Sequence, residues 1–276
     1  MRQLIAIFVG SFCLCVTGGS AFAWGDTGHR VICEIALQLV KPQTRNSINA
    51  LLANDPEFQN FSDTCIYPDH GAGNSGRTRS EEHYINLARD AKELDADACP
   101  EAPKCVLSAI ESDQKLLSSS DLSPQIRRVA LMSLGHWIGD VHQPMHVSFL
   151  DDVGGNKIRT KGCARNSHGA WDTCLVQNAV GPDPQKAASN LLAELRPEQA
   201  KLWAHSKPRD WVNETFALAE APATGYCVRR GNSCDPVVGE VTITARYEKE
   251  NIPVVREQLL KAGVRLAHVL DVALAR

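Results

Sequence analysis

The sequence predicts an all-α fold, on three observations. Apolar residues recur at helical spacing through most of the chain, strand-like patterning is confined to two short pieces, and no internal repeat or low-complexity tract interrupts the pattern. Thr27–Leu39 forms the first helix and stops before Pro42. Gln43–Leu52 continues as the second, with Pro42 at its start, where a missing backbone N–H costs nothing. Cys105–Leu117 and Pro124–Val141 read as helices, the latter strongly apolar. Pro184–Leu195 and Pro208–Ala221 are two more. Pro253–Ala275 reads as a long amphipathic closing helix, with Asn251 as its cap and Pro253 in its first turn. Long loops rich in Gly, Asp and Asn lie at 66–80, 150–170 and 224–240. The strand-like pieces are Lys157–Thr160 and Val241–Ala245. A single mainly helical domain with elaborate loops accommodates all of these.

The first 23 residues read as a secretory signal peptide. Arg2 supplies a positive start, the apolar runs Leu4–Val9 and Phe12–Val16 come next, and Ala21-Phe22-Ala23 is a small-x-small cleavage pattern. The apolar run is broken and falls short of the ~20 residues needed to span a bilayer. Cleavage leaves a domain of residues 24–276, or 276 − 23 = 253 residues, beginning at Trp24. Export to the periplasm or medium agrees with cysteine usage. Of ten cysteines, Cys13 and Cys15 leave with the signal, and the rest suit disulfides. Cys99/Cys105 and Cys227/Cys234 read as local staples. Cys163/Cys174 would brace a loop around His168, and Cys33/Cys65 would tie the first helix to the chain beyond it. Net charge is −3, or −4 without Arg2, and no basic run marks a nucleic-acid groove or an anionic membrane surface. If polyanions are handled, bound metal ions must supply much of the positive field.

The residues that carry chemistry are His and Asp. His136-Trp-Ile-Gly-Asp140 is an i, i+4 pair on one helix face, and His146 comes just after Pro144. His168-Gly-Ala-Trp-Asp172 repeats the pattern. Tyr67-Pro-Asp69 and His83-Tyr-Ile-Asn86 add a carboxylate and an imidazole, and His29 lies close behind Trp24. Imidazole with carboxylate is the usual zinc ligand set. The candidate ligands are Trp24, His29, Asp69, His83, His136, Asp140, His146, His168 and Asp172, with Trp24 contributing its freed amine and its carbonyl. Asp63 is a nearby competitor for Asp69. His142 reads as a structural residue turned away from Asp140.

On these motifs the chain resembles the exported zinc-dependent single-strand nucleases and 3′-nucleotidases of the S1/P1 type. Trp24-Gly-x-x-Gly-His29-Arg30, Gly154-Gly155-Asn156 and the C-terminal Ala262-Gly263-Val-Arg265-Leu266-Ala267 belong to the same ordered set. The resemblance implies the phospholipase C/nuclease-like fold and three zinc ions. Asp69, His83, His136 and Asp140 would hold the first; His146, His168 and Asp172 the second; Trp24, His29 and Asp140 the third. Asp69 and Asp140 would be the catalytic carboxylates, acting with a zinc-activated water. The implied reaction cleaves single-stranded RNA and DNA to 5′-phosphonucleotides, with 3′-nucleotides as further substrates and a monomer as the working unit. Tyr84 and Asn86 stand where the family stacks on and hydrogen-bonds a nucleobase, and Asn156 joins them as a candidate substrate contact. Asn86 replaces the Asp of many relatives. Ala72 replaces a basic residue, which leaves Arg77 or Arg79 to supply that charge. Two other readings stay open: a zinc-dependent phospholipase C, whose last ligand is usually Glu rather than Asp172, and a non-catalytic zinc-binding secreted protein.

Overall fold

Helix α1 (Gly25–Leu39) runs through the middle of the molecule, buried without a break from Val31 to Ala36. The computed structural model describes residues 24–275 apart from 54, 59, 97, 101 and 232, so the signal-peptide reading of residues 1–23 lies outside the described residues. After α1 come α2 (Pro42–Leu52), the single turns α3 (Phe61–Thr64) and α4 (Tyr67–His70), and β1 (Ile85–Leu87). The packed pair α5 (Val106–Ser118) and α6 (Pro124–Asp140) is next, then β2 (Val147–Phe149) and β3 (Arg159–Lys161). Helices α7 (Ser167–Asp172), α8 (Cys174–Val180), α9 (Pro184–Leu192), α10 (Pro197–Ala204) and α11 (Pro208–Ala219) lead to the hairpin β4 (Cys227–Arg230) and β5 (Ser233–Pro236). Strand β6 (Glu240–Thr242) and helix α12 (Ala245–Ala273) close the chain.

The main core is an apolar cluster around α1, which packs against α3, α6, α8, α9 and α12, and Phe58, Ile66 and Met132 form a small second cluster. Prolines open α2, α6, α9, α10 and α11, and Ser123 and Asp183 cap α6 and α9 through their side chains. The strands form three two-stranded ladders: β1 with β2 and β3 with β6, both parallel, and β4 with β5 antiparallel. The bonds Cys33–Cys65, Cys99–Cys105, Cys163–Cys174 and Cys227–Cys234 form, which are the pairs read from the sequence. No helix among the described residues is long and apolar enough to cross a membrane.

Two expectations need correction. The closing helix begins at Ala245, not Pro253, and its cap is Thr244, whose hydroxyl accepts from the Tyr247 N–H at 3.1 Å. Asn251 lies inside this helix, buried, donating to the carbonyls of Ala223 and Tyr247. Pro253 is therefore an internal proline, tolerated although it removes one helical N–H. The strands at 157–160 and 241–245 shift to Arg159–Lys161 and Glu240–Thr242, because the Lys157 N–H is taken by the Asp152 carbonyl and Ala245 starts α12. Helix α10 gave no separate signal in the sequence.

Candidate metal centre

Helix α6 delivers the first pair of ligands. His136 and Asp140 sit one turn apart at its C-terminal end, both fully buried, with His136 Nε2 3.3 Å from Asp140 Oδ2. Gly139 lets α1 approach: a Cβ there would lie 2.8 Å from His29 Nδ1. The His29 ring stacks on His136 at 3.8 Å between centroids, and its Nε2 is 3.4 Å from Asp140 Oδ1. Asp140 thus stands between His29 on one oxygen and His83 and His136 on the other, with His83 Nδ1 3.1 Å from Oδ2. Asp69, on the turn α4, closes this group at 3.6 Å from His83 Nδ1 and 3.8 Å from His136 Nε2.

A second group forms where the 3-10 turn Pro144–His146 meets α7. The rings of His146 and His168 lie 4.6 Å apart, and His168 Nε2 is 3.4 Å from Asp172 Oδ2. Trp24 joins the assembly from the start of α1. Its buried indole donates to the Gly139 carbonyl at 2.8 Å, and its own carbonyl accepts from Gly28, leaving one lone pair.

Proton accounting shows what these groups lack. His136 Nδ1 bonds the Cys65 carbonyl at 2.7 Å, and His83 Nε2 bonds the Thr78 carbonyl at 2.9 Å. A carbonyl only accepts, so both of those nitrogens carry the proton. The nitrogens that face each other, His136 Nε2 and His83 Nδ1 at 3.1 Å, are then lone pair against lone pair. The same holds for His146, whose Nδ1 bonds the His83 carbonyl, and for His168, whose Nδ1 bonds the Gly154 carbonyl at 2.8 Å. His146 Nε2, both His29 ring nitrogens, both Asp140 oxygens and Asp172 Oδ2 are buried without a hydrogen-bond partner. Such a cluster is unfavourable unless a cation is shared among the lone pairs. The 3.1–3.8 Å spacings bracket the edge of a tetrahedral site with metal–nitrogen bonds near 2 Å, about 3.3 Å. Ligand atoms from His29/Asp69/His136, His83/His136/Asp140 and His146/His168/Asp172 each gather within 4.8 Å.

Burial drives the rings of His136, His146 and His168 toward the neutral, metal-binding form, with His168 pushed down to about 4. Protons compete with metal for these lone pairs only once the pH nears the ring pKa. Metal content, followed by elemental analysis across a pH series, should therefore fall as acid protonates these rings. Burial moves the Asp172 carboxyl the other way, well above its ordinary range, which a bound dication would reverse.

A cleft of about 290 Å³ opens over these groups, lined by Arg77, Tyr84, Asn86, Met145, His146, Val153, Gly154, Asn156 and His168. Tyr84 is 38 % exposed at its mouth, and Asn86 is buried with Oδ1 unpartnered. Asp63 takes no part: it pairs with Arg30 at 2.9 Å on the surface beside α1. Arg77 and Arg79 separate. Arg77 Nη2 reaches Asp69 Oδ1 at 2.9 Å and lines the cleft, whereas Arg79 is engaged by Glu82 and by Asp113 at 2.6 Å and lies over Trp137. His142 donates to the Ile138 carbonyl and accepts from the buried Arg265 at 2.8 Å, so it braces the end of α6.

Some contributors escaped the sequence reading. Gln143 donates to Asp172 Oδ1 at 2.5 Å and so aims its other oxygen at the metal group; its place between His142 and Pro144 was the available signal. Asp152 holds the 150–156 loop by accepting from Gly155 N, Tyr226 Oη and Arg89, which fixes the Gly154 carbonyl beneath His168. The carbonyls of Cys65, Thr78, His83 and Gly154 had no signal, since every residue carries one.

The chain is 30% identical to Endonuclease 2 of Arabidopsis thaliana, over 90% of this chain and 89% of that protein. It is 28% identical to Endonuclease 4 of the same plant, over 91% and 89%. Identity to Nuclease S1 of Aspergillus oryzae is 27%, over 91% of each chain. The family described as S1/P1 Nuclease matches residues 24–275, and the chain belongs to that family.

Proposed function

We propose that the protein is an exported phosphodiesterase that uses three zinc ions to hydrolyse single-stranded RNA and DNA to 5′-phosphonucleotides, and that it also removes phosphate from 3′-nucleotides. The lone-pair contact between His83 Nδ1 and His136 Nε2, with Asp140 beside both, carries this reading, because a bound cation relieves it. Asp69, His83, His136 and Asp140 would hold one ion, His146, His168 and Asp172 a second, and His29, Asp140 and the amine and carbonyl of Trp24 a third. The amine becomes a ligand only after cleavage behind Ala23. Zinc bound there would lower the pKa of water and offset charge on phosphoryl and departing 3′ oxygens.

The chain's own residues do the rest. Asp140, fully buried, links the groups on its two oxygens and fixes their spacing. Asp69 accepts from Arg77, which keeps the guanidinium over the cleft, where it can bond a phosphoryl oxygen. Tyr84 offers an exposed ring face to a base, and Asn86 Oδ1 an unpartnered acceptor beside it. Asn156 lines the same cleft, where it would meet sugar or phosphate.

Two substitutions test these roles. Arg77→Ala should lower kcat about 10- to 100-fold with little change in KM, whereas Arg79→Ala should leave kcat near wild type, as steady-state kinetics on a short oligonucleotide will tell. Tyr84→Ala should raise the KM for short oligonucleotides by about ten-fold, the worth of one stacked base. The reading as a whole is tested by assaying single-stranded RNA, single-stranded DNA and phosphatidylcholine side by side, with and without a zinc chelator. Chelator-sensitive release of 5′-nucleotides is expected. Cleavage of the lipid alone would reassign the protein as a phospholipase, and inactivity on all three despite bound zinc would leave a binding protein.

A further inference from the structure

The loop between the cleft residues Asn156 and His168 carries Lys157, Arg159, Lys161 and Arg165, and residues 153–171 contain no Asp or Glu. The four cations are spaced among neutral residues, so they do not form a run in the sequence. Folding gathers them. Arg159 bridges to Asn166 and the Thr160 N–H bonds the Arg165 carbonyl at 3.1 Å, so the segment doubles back on itself. Both ends of the fold-back are anchored at the metal cleft: Asn166 Nδ2 bonds Asn156 Oδ1 at 3.3 Å, and Asn156 and His168 line the cleft wall. Pairing of β3 with β6 and the Cys163–Cys174 bond fix the segment to the body of the protein.

The side chains face outward. Ile158 and Thr160 are buried while Lys157, Arg159 and Lys161 are exposed, the alternation of a strand with one face to solvent. Arg159 is 81 % exposed and forms a long ion pair with Glu240 at 3.8 Å; Lys157 donates to the Asp151 carbonyl. Lys161 and Arg165 form no ion pair among the described residues. In a chain of net charge −3, four exposed cations thus share the segment that joins two residues of the cleft wall.

We propose that Lys157, Arg159, Lys161 and Arg165 form a docking track for the phosphates of a single strand whose scissile bond lies in the cleft, an inference that rests on the nuclease reading above. Exposed cations that track a backbone bind through counterion release, so the contribution is specific to long substrates and weakens with salt. A 3′-mononucleotide fills the cleft and never reaches the track.

The test compares wild type with the triple variant Arg159→Gln/Lys161→Gln/Arg165→Gln, all at exposed positions outside the metal groups. The substrates are a ~20-nucleotide single strand and a 3′-mononucleotide, across a salt series. At low salt the KM for the strand should rise about ten-fold, and the log–log salt slope should shrink by about 2, roughly 0.7 for each cation removed. Turnover of the mononucleotide should stay as in wild type, and Arg159→Lys/Arg165→Lys should keep wild-type behaviour on both. An unchanged KM and slope on the strand, or an equal loss on both substrates, would overturn the track. If wild type hydrolyses neither substrate, the nuclease reading fails and the track falls with it.

Discussion

Asp140→Ala should abolish hydrolysis of single-stranded nucleic acid, lowering kcat/KM by at least ~10³-fold, or about 4 kcal/mol of transition-state stabilisation. Asp140 lies 3.4, 3.1 and 3.3 Å from His29, His83 and His136, closer to the His83/His136 pair than Asp69 is, so its loss uncouples two of the proposed metal positions. Those rings stay buried, and their lone pairs would meet an apolar methyl where they had a negative charge. Zinc content should fall from three toward one, with the group of His146, His168 and Asp172 retained, because Gln143 and the Gly154 carbonyl orient that group independently. Kinetics and elemental analysis on the same preparation measure both effects. Full activity in the variant would remove Asp140 from the centre.

Metal removal should have an effect as large on activity and a second effect on stability. Stripping the protein with a zinc chelator leaves His29, His146, Asp140 and Asp172 with buried, unpartnered polar atoms and His83 against His136 with opposed lone pairs. Binding that occurs only in the folded state adds directly to folding stability. For a chain of this size each kcal/mol moves Tm by about 2–4 °C, so a loss of several kcal/mol lowers Tm by about 10 °C or more. The disulfide Cys33–Cys65, which ties α1 to the loop carrying Asp69, should keep the stripped chain competent to rebind. Calorimetry before chelation, after it and after zinc is restored should show the fall and its reversal. A Tm indifferent to the chelator would mean that no metal supports this core.

The sequence was most legible where side-chain spacing and helix geometry coincide. His136/Asp140 and His168/Asp172 could be paired in advance because residues four apart share a helix face. The starts of α2, α6, α9 and α11 could be read from their prolines. The same rule misled at Pro253, where packing of Tyr247 and Asn251 against the 222–226 turn extends α12 across the proline. The three-residue parallel strands were hard to place because such short segments hold too few positions to show alternation. Arg77 and Arg79 could not be told apart in sequence. Tertiary structure separates them, since Glu82 and Asp113, brought close by folding, consume Arg79. The loop cations at 157–165 looked dispersed, and only the fold-back at Arg159 and Asn166 collects them.

The most direct measurement is the number of zinc ions per chain, by elemental mass spectrometry, in protein whose N-terminus is Trp24. Three per chain is the expected result, falling to two when one residue is added before Trp24 to block its amine. Two or fewer in the native form, or three regardless of the added residue, would contradict a trinuclear centre built on that terminus.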